Sequence, residues 1–237
     1  MKQIKLLLVL AYSTLVIPAI AQDNVSISGY VRNYTGVLIN GDKDFSILQN
    51  TLNLVLEQKN NKIAFKVNPY LYHYFDNDLE LGLREAYLDL NFSNFNLRAG
   101  KQQIIWGKAE GVFITDIVSP KDLSEFLLRD FDEIRMGVTS LKGAYYFGNN
   151  TLEAAWAPVF TPTRMPDDGS IWSPVLPFPV TPTYEYSSSE IRKSLENSEL
   201  FIRFSSMGSR ADFEIVGGYF WNDDPAMHIT RIIDPVS

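Results

Sequence analysis

Charged side chains are densest between residues 106 and 135, in the stretch WGKAEGVFITDIVSPKDLSEFLLRDFDEIR. Pairs of carboxylates could act as the acid and base of a glycoside hydrolase, whereas a set of mixed charges could select the solutes that cross a pore. A connection of this length is uncommon unless it has a function. We therefore predict a constriction loop, folded into a channel and formed by Asp116, Asp130, Asp132, Glu133 and Arg135. A solvated external loop is the alternative.

The remaining residue types argue against an enzyme. Two histidines, His73 and His228, and no cysteine are present, so a Cys-based or His-rich metal site is excluded. The chain contains no nucleophile elbow, zincin, P-loop or dinucleotide-binding motif. A serine with a histidine base, or a pair of the loop carboxylates, would be the remaining routes to catalysis. We predict no catalytic residue, no metal and no cofactor.

Composition limits the class of protein further. The chain has 237 residues, of which 46% are hydrophobic, and a net charge of −7. A hydrophobic content this high predicts a folded protein. The negative charge would repel phosphates, so we expect no nucleic acid among its partners.

The N-terminus has the organisation of a secretory signal peptide. Lys2 and Lys5 precede an apolar run over residues 6–17, and Ala19 and Ala21 form a small-x-small cleavage site. We predict that residues 1–21 are removed after export and that residues 22–237 form one domain. A membrane anchor is the alternative, but the apolar run is short for crossing a bilayer.

Beyond residue 21, the chain is rich in alternating apolar and polar residues, which is typical of strands. The predicted strands are 25–35, 46–57, 62–73, 83–92, 95–105, 136–147, 151–159, 197–206, 211–221 and a weaker 227–233. The polar residues of the fourth and fifth strands should share one face, which we predict to line a pore: Glu85, Tyr87, Asp89, Asn96 and Arg98.

Short and long connections alternate along most of the chain. Turns rich in Asn and Gly join some strands, and long segments such as 106–135 and 160–196 join others. An up-and-down transmembrane β-barrel, complete or incomplete, has this pattern. We therefore predict an all-β, antiparallel transmembrane barrel, with a short helix from Ser119 and Pro120 through Leu128 in the long loop. An exported β-sandwich that binds glycans or a protein is the alternative.

Four motifs resemble a known family. They read REAYLDL at 84–90, GKQQIIWG at 100–107, TDIVSPKD at 115–122 and DFDEIR at 130–135. In these motifs the chain is similar to Gram-negative outer-membrane porin-like barrels, most of which are catalogued as a domain of unknown function. The resemblance implies a location in the outer membrane but no established substrate. Members of that family close on a terminal aromatic strand, which is not found before Ser237, so we expect the chain to be truncated at its C-terminus.

The resulting prediction is a porin-like barrel in the cell outer membrane, exported with cleavage near Ala21. It would pass small solutes passively, and its partners would be outer-membrane lipid and those solutes. Whether it forms a homo-oligomer is left open by the sequence.

Overall fold

A computed structural model describes residues 25–39, 45–74, 78–107, 116–125, 129–167, 170–173 and 191–224. In this part of the chain, nine antiparallel strands form one sheet whose spatial order is the order of the sequence. The strands are β1 (Ser26–Val37), β2 (Phe45–Lys59), β3 (Ile63–Tyr74), β4 (Leu79–Asn91), β5 (Phe95–Gln102), β6 (Val138–Phe147), β7 (Asn150–Ala157), β8 (Glu199–Met207) and β9 (Asp212–Tyr219).

The all-β prediction is confirmed, and nine of the ten predicted strands are present at nearly the predicted bounds. The tenth, 227–233, lies outside the described residues, as does the predicted signal peptide at 1–21. No helix in the described ranges is long and apolar enough to cross a membrane. The chain divides into two compact units: the first comprises residues 1–102 and 141–148, and the second residues 103–140 and 149–237.

Local chemistry sets the short turns. Between β2 and β3, the Asn60 side-chain oxygen accepts hydrogen bonds from the backbone amides of Lys62 at 2.9 Å and Ile63 at 2.7 Å. Between β6 and β7, Gly148 has a φ of 55°, which a glycine adopts without steric cost. The predicted hairpins at these positions are therefore confirmed.

The predicted helix from Ser119 through Leu128 is not found in its described part, residues 119–125, which form turns and two isolated bridges. The Ser119 hydroxyl, expected to cap the helix, accepts a hydrogen bond from the backbone amide of Ile104 at 2.9 Å instead. Lys121 forms an antiparallel bridge with Arg135. Long-range pairing therefore replaces the local helical bonds, and a four-residue helix, α1 (Phe131–Ile134), lies further along.

In the first unit, β2 shows the two faces of the sheet clearly. Gln49, Thr51 and Asn53 are 2%, 1% and 4% exposed, whereas Leu52 and Leu54 are each 42% exposed. We call the side that carries Gln49, Thr51 and Asn53 the polar face and the opposite side the apolar face. Water-soluble sheets usually bury the apolar side, so this arrangement is reversed.

The second unit has a similar division on β7 and β8. Glu153 is 7% exposed and Glu199 3% exposed, but Leu152 and Leu200 are each 44% exposed. Glu153 pairs with Arg203 in the ladder and Ala157 pairs with Glu199, so both buried acids lie on one side of the sheet. Leu152 and Leu200 are each one position away from an acid on the same strand, so they lie on the other side. We call the side that carries Glu153 and Arg203 the Glu153 face.

Candidate functional site

The five residues predicted to line a pore lie on the polar face of β4 and β5. Asp89 and Arg98 are direct ladder partners, and the Arg98 guanidinium donates to both Asp89 carboxylate oxygens, at 2.6 and 2.8 Å. The Arg98 guanidinium carbon lies 3.9 Å from the centre of the Tyr87 ring. A guanidinium that is both paired and stacked has a fixed orientation.

Glu85 and Asn96 complete this group. The Lys66 amine donates to the Glu85 carboxylate at 2.6 Å, and the Asn96 amide donates to the side-chain oxygen of Asn91. The expected shared face is thus observed, and the charges on it are paired across strands. The role of these residues in lining a pore stays a prediction.

The five predicted constriction residues do not form one cluster. Asp116 and Arg135 lie together and are largely buried, with their side chains 1% and 12% exposed. Glu133 is buried on α1, whereas Asp130 and Asp132 are exposed. These charges are close along the chain, which is why the sequence suggests one group. Successive side chains of a helix point in different directions, so the charges on and beside α1 are separated in space.

Asp116 holds the start of the loop against its end. One carboxylate oxygen accepts hydrogen bonds from the backbone amides of Trp106 at 2.9 Å and Gly107 at 2.6 Å. The other accepts two from the Arg135 guanidinium, at 3.1 and 2.9 Å. Both oxygens of a buried carboxylate are therefore satisfied, which is the condition for burying it without a large penalty.

A second buried charge cluster in the loop was not predicted as part of the site. Arg129, whose side chain is 4% exposed, lies 3.5 Å from the Asp122 carboxylate and 3.3 Å from that of Glu125. Burial raises the pKa of Glu125, although the positive charge of Arg129 opposes this. The i, i+4 spacing of Glu125 and Arg129 was the available sequence signal.

The most informative residues missed by sequence reasoning are Glu153 and Arg203. The Trp106 indole nitrogen donates to the Glu153 carboxylate at 2.9 Å, although 47 positions separate them in the chain. The Arg203 guanidinium donates to the other Glu153 oxygen at 2.7 Å and lies 3.4 Å from Glu214. No local pattern links a tryptophan in a loop to charges on strands so distant in sequence.

Apolar packing reinforces these polar contacts. A buried cluster in the second unit combines loop residues with strand residues: Ile104, Trp106, Val118, Val138, Ala155 and Phe201. Trp106, only 2% exposed, is its largest member. Since Ala155 and Phe201 are ladder partners two positions from Glu153 and Arg203, the loop packs on the Glu153 face.

The site combines buried ion pairs with a loop that packs against a strand face. Within the described ranges, no group of three or more potential ligands is placed to hold a metal ion. The contacts of Trp106 hold the charged loop on the Glu153 face. Neither a curated protein nor a solved structure matches the chain. Residues 8–199 match the model of a family described as protein of unknown function (DUF1302), and the chain belongs to that family.

Proposed function

We propose that this protein is an outer-membrane β-barrel through which small solutes pass, and that the loop over residues 106–135 narrows its lumen. Residues 1–21 would direct export. The observation that carries the proposal is the reversal of the two faces of the sheet. On β2, a threonine is 1% exposed beside leucines that are 42% exposed. Lipid favours the leucines and an aqueous lumen favours the polar side, so a membrane accounts for both.

The strand order supports the same proposal. A bilayer requires every backbone N–H and C=O within it to be paired inside the protein. Neighbouring antiparallel strands in chain order supply this pairing, and strands of 8 to 15 residues are comparable with the roughly 9–11 that a tilted crossing needs. Closure of the sheet is part of the proposal.

Aromatic residues on the apolar face are placed as a membrane boundary would require. At the turn end of β4 to β6, the rings of Phe92 and Phe95 lie 6.1 Å apart, and those of Tyr145 and Phe147 are stacked at 5.6 Å. Phe92, Tyr145 and Phe147 are 62%, 45% and 40% exposed. Aromatic side chains are favoured at the interface between hydrocarbon and water.

The position of the loop gives the proposed lumen its constriction. Residues of the loop pack on the Glu153 face through Trp106, which contacts Glu153 and lies 5.7 Å from Arg203. If that face lines the lumen, the loop occupies part of the passage. The exposed carboxylates of Asp130 and Asp132 would then meet the solutes.

A β-sandwich that binds glycans is less well supported. A sandwich buries apolar side chains between two sheets, but the buried side of β2 carries Gln49, Thr51 and Asn53. No described feature favours it over the barrel.

Planar-bilayer recording of the purified full-length chain tests the proposal. We expect discrete conductance steps, and retention in the outer membrane after carbonate washing. Folded protein that gives no steps would overturn the passage of solutes, and release by carbonate would overturn the membrane location. For the loop, Asp130→Asn with Asp132→Asn should lower the preference for cations, measured as a shift in reversal potential. An unchanged potential would remove the loop from the lumen.

A further inference from the structure

One lysine lies on the apolar face of the first unit. Lys101 on β5 pairs with Ala86 on β4. Ala86 is on the same side of its strand as Leu88, which is 44% exposed, because the two are separated by two positions. At the other described positions of this face on β1 to β5, the ladders carry apolar and uncharged polar side chains and one histidine, His73. Lys101 therefore brings a positive charge to a surface whose other described positions hold no lysine, arginine or carboxylate.

The charge of Lys101 is not neutralised within the part of the chain that the structure describes. Its ammonium has no hydrogen bond, ion pair or ring contact there, and no charged side chain is close enough to act on it. By contrast, the amine of Lys66 on the polar face lies 2.6 Å from the Glu85 carboxylate. Lys101 is half-buried. A half-buried charge needs a partner, and the described residues supply none for Lys101.

The position of Lys101 along β5 sets its depth in the proposed bilayer. Phe95, six positions earlier on β5, belongs to the aromatic group at the turn end of the sheet. Six residues of a strand span about 20 Å, so a strand tilted by about 40° rises about 15 Å through an apolar band about 25 Å tall. Because the short turns of such barrels face the periplasm, Lys101 lies in the outer half of the band. A lysine at this depth extends its side chain toward the outer boundary.

Two occupants of the apolar face could bring an anion to Lys101: a second copy of the chain or a lipid. A symmetric contact between two copies uses the same patch on both, so it would bring a second Lys101. The described positions of this face on β1 to β5 hold no carboxylate to pair with it. Lipids at the outer boundary carry phosphates, which accept strong hydrogen bonds from an ammonium. The lipid is therefore the occupant whose charge matches.

We infer that Lys101 binds the phosphate of an anionic lipid in the outer leaflet, and that an acyl chain of this lipid lies over Ala86 and Ala99. The inference rests on the proposed function, because it requires β5 to cross the bilayer. Two alanines beside the lysine, one across the ladder and one on the same strand, leave room for that chain. The whole protein carries −7, so its overall charge repels anionic lipids. A preference for them therefore requires a local cation.

Native mass spectrometry of the full-length protein, with lipid added in detergent, tests the inference by measuring the affinity of each bound lipid. The probes are phosphatidylglycerol, which is anionic, and phosphatidylcholine, which has a phosphate but no net charge. We expect phosphatidylglycerol to bind about fivefold more tightly, as one lysine near a lipid phosphate contributes. Equal affinities would overturn the inference. A dimer that forms without bound lipid and dissociates in Lys101→Met would assign this face to a second copy and would also overturn it.

Variants assign the lipid preference to Lys101. Lys101→Met removes the charge but keeps a long side chain, and it should abolish the preference, whereas Lys101→Arg should retain it. Lys193→Met, at an exposed position between β7 and β8, is the matched loss of positive charge and should leave the preference unchanged. A preference that survives Lys101→Met in folded protein would overturn the inference.

Stability in neutral lipid separates binding from a structural role of the lysine. In phosphatidylcholine vesicles, Lys101→Met should have a denaturation midpoint equal to or above that of the natural chain, because a charge is removed from the lipid face. A lower midpoint there would assign a structural role to Lys101 and would overturn the inference. Conductance on the same samples reports separately on the proposed function. Protein that conducts but shows no lipid preference overturns the inference alone, and a lipid preference without conductance overturns only the passage of solutes.

Discussion

The Asp116 carboxylate and the Arg135 guanidinium lie 2.9 Å apart, and they join the two ends of the charged loop. The same carboxylate accepts the backbone amides of Trp106 and Gly107. One side chain therefore fixes the point at which the chain leaves β5 and the point at which it returns toward β6. Residues predicted to form a constriction also determine the conformation of the segment that would carry it.

The first prediction concerns this pair. Asp116→Asn keeps one oxygen for the two backbone amides but removes the charge that faces Arg135. We expect the free energy of unfolding to fall by about 2 to 3 kcal/mol, because a largely buried guanidinium loses its ionic hydrogen bonds. Denaturant titration measures it. Asp132→Asn, at an exposed position on the same loop, is the control and should change stability by less than about 0.5 kcal/mol. Equal effects of the two variants would contradict the prediction.

The second prediction concerns Trp106. Trp106→Phe preserves most of the ring but removes the hydrogen bond to Glu153, which is 7% exposed. We expect a loss of about 1 to 3 kcal/mol, since a buried acceptor loses its donor. The control is Trp156→Phe, because Trp156 is 42% exposed on the opposite side of β7. A loss no larger than that of the control, measured by the same titration, would show that the indole contact does not anchor the loop.

The third prediction separates a membrane from water. Val31 and Ser28 are both exposed on β1, at positions that face opposite sides of the sheet. On a lipid-facing strand, Val31→Lys should cost about 2 to 4 kcal/mol, while Ser28→Lys on the polar face should cost little. In a water-soluble protein, Val31, which is 81% exposed, would tolerate lysine. Refolding yield into lipid vesicles and the denaturation midpoint there are the measurements. Equal refolding yields and equal denaturation midpoints for the two variants would argue against contact of Val31 with lipid.

The fourth prediction concerns pH. Burial raises the pKa of Asp223, which follows β9, from 3.8 to about 7, and the nearby charges of Glu199 and Asp224 add to the effect while Lys121 opposes it. The folded state therefore holds this proton more tightly than the unfolded chain does. The resulting stabilisation is complete below about pH 4 and is lost as the pH rises through 7.

Thermal unfolding between pH 4 and pH 8 measures this dependence. Asp223→Asn should remove the fall in thermal stability that the ionisation of Asp223 causes. At pH 8 this variant should therefore be more stable than the natural chain. Asp132→Asn should leave the profile as it is. A profile unchanged by Asp223→Asn would assign the pH dependence to other groups.

Strand positions and faces followed from the sequence because they depend on local alternation. The period of two in residues 83–92 placed Glu85, Tyr87 and Asp89 on one side, and the register confirms it. Turn residues such as Asn60 and Gly148 likewise act within a few positions. The helix predicted from Ser119 failed for the opposite reason. Its capping signals were local, but Ser119 binds Ile104, which is 15 positions away.

The sequence by itself determined that alternating strands follow one another through short turns, since backbone geometry and side-chain period are set by neighbouring residues. Only the tertiary structure decided which charges meet. Trp106 reaches Glu153, and Arg203 reaches the same carboxylate from 50 positions away. Arg84 reaches two tyrosines through a bulge opposite Pro69. Such contacts depend on which strands become neighbours and on the need of each buried charge for a partner. Neither can be read from a short segment of the sequence.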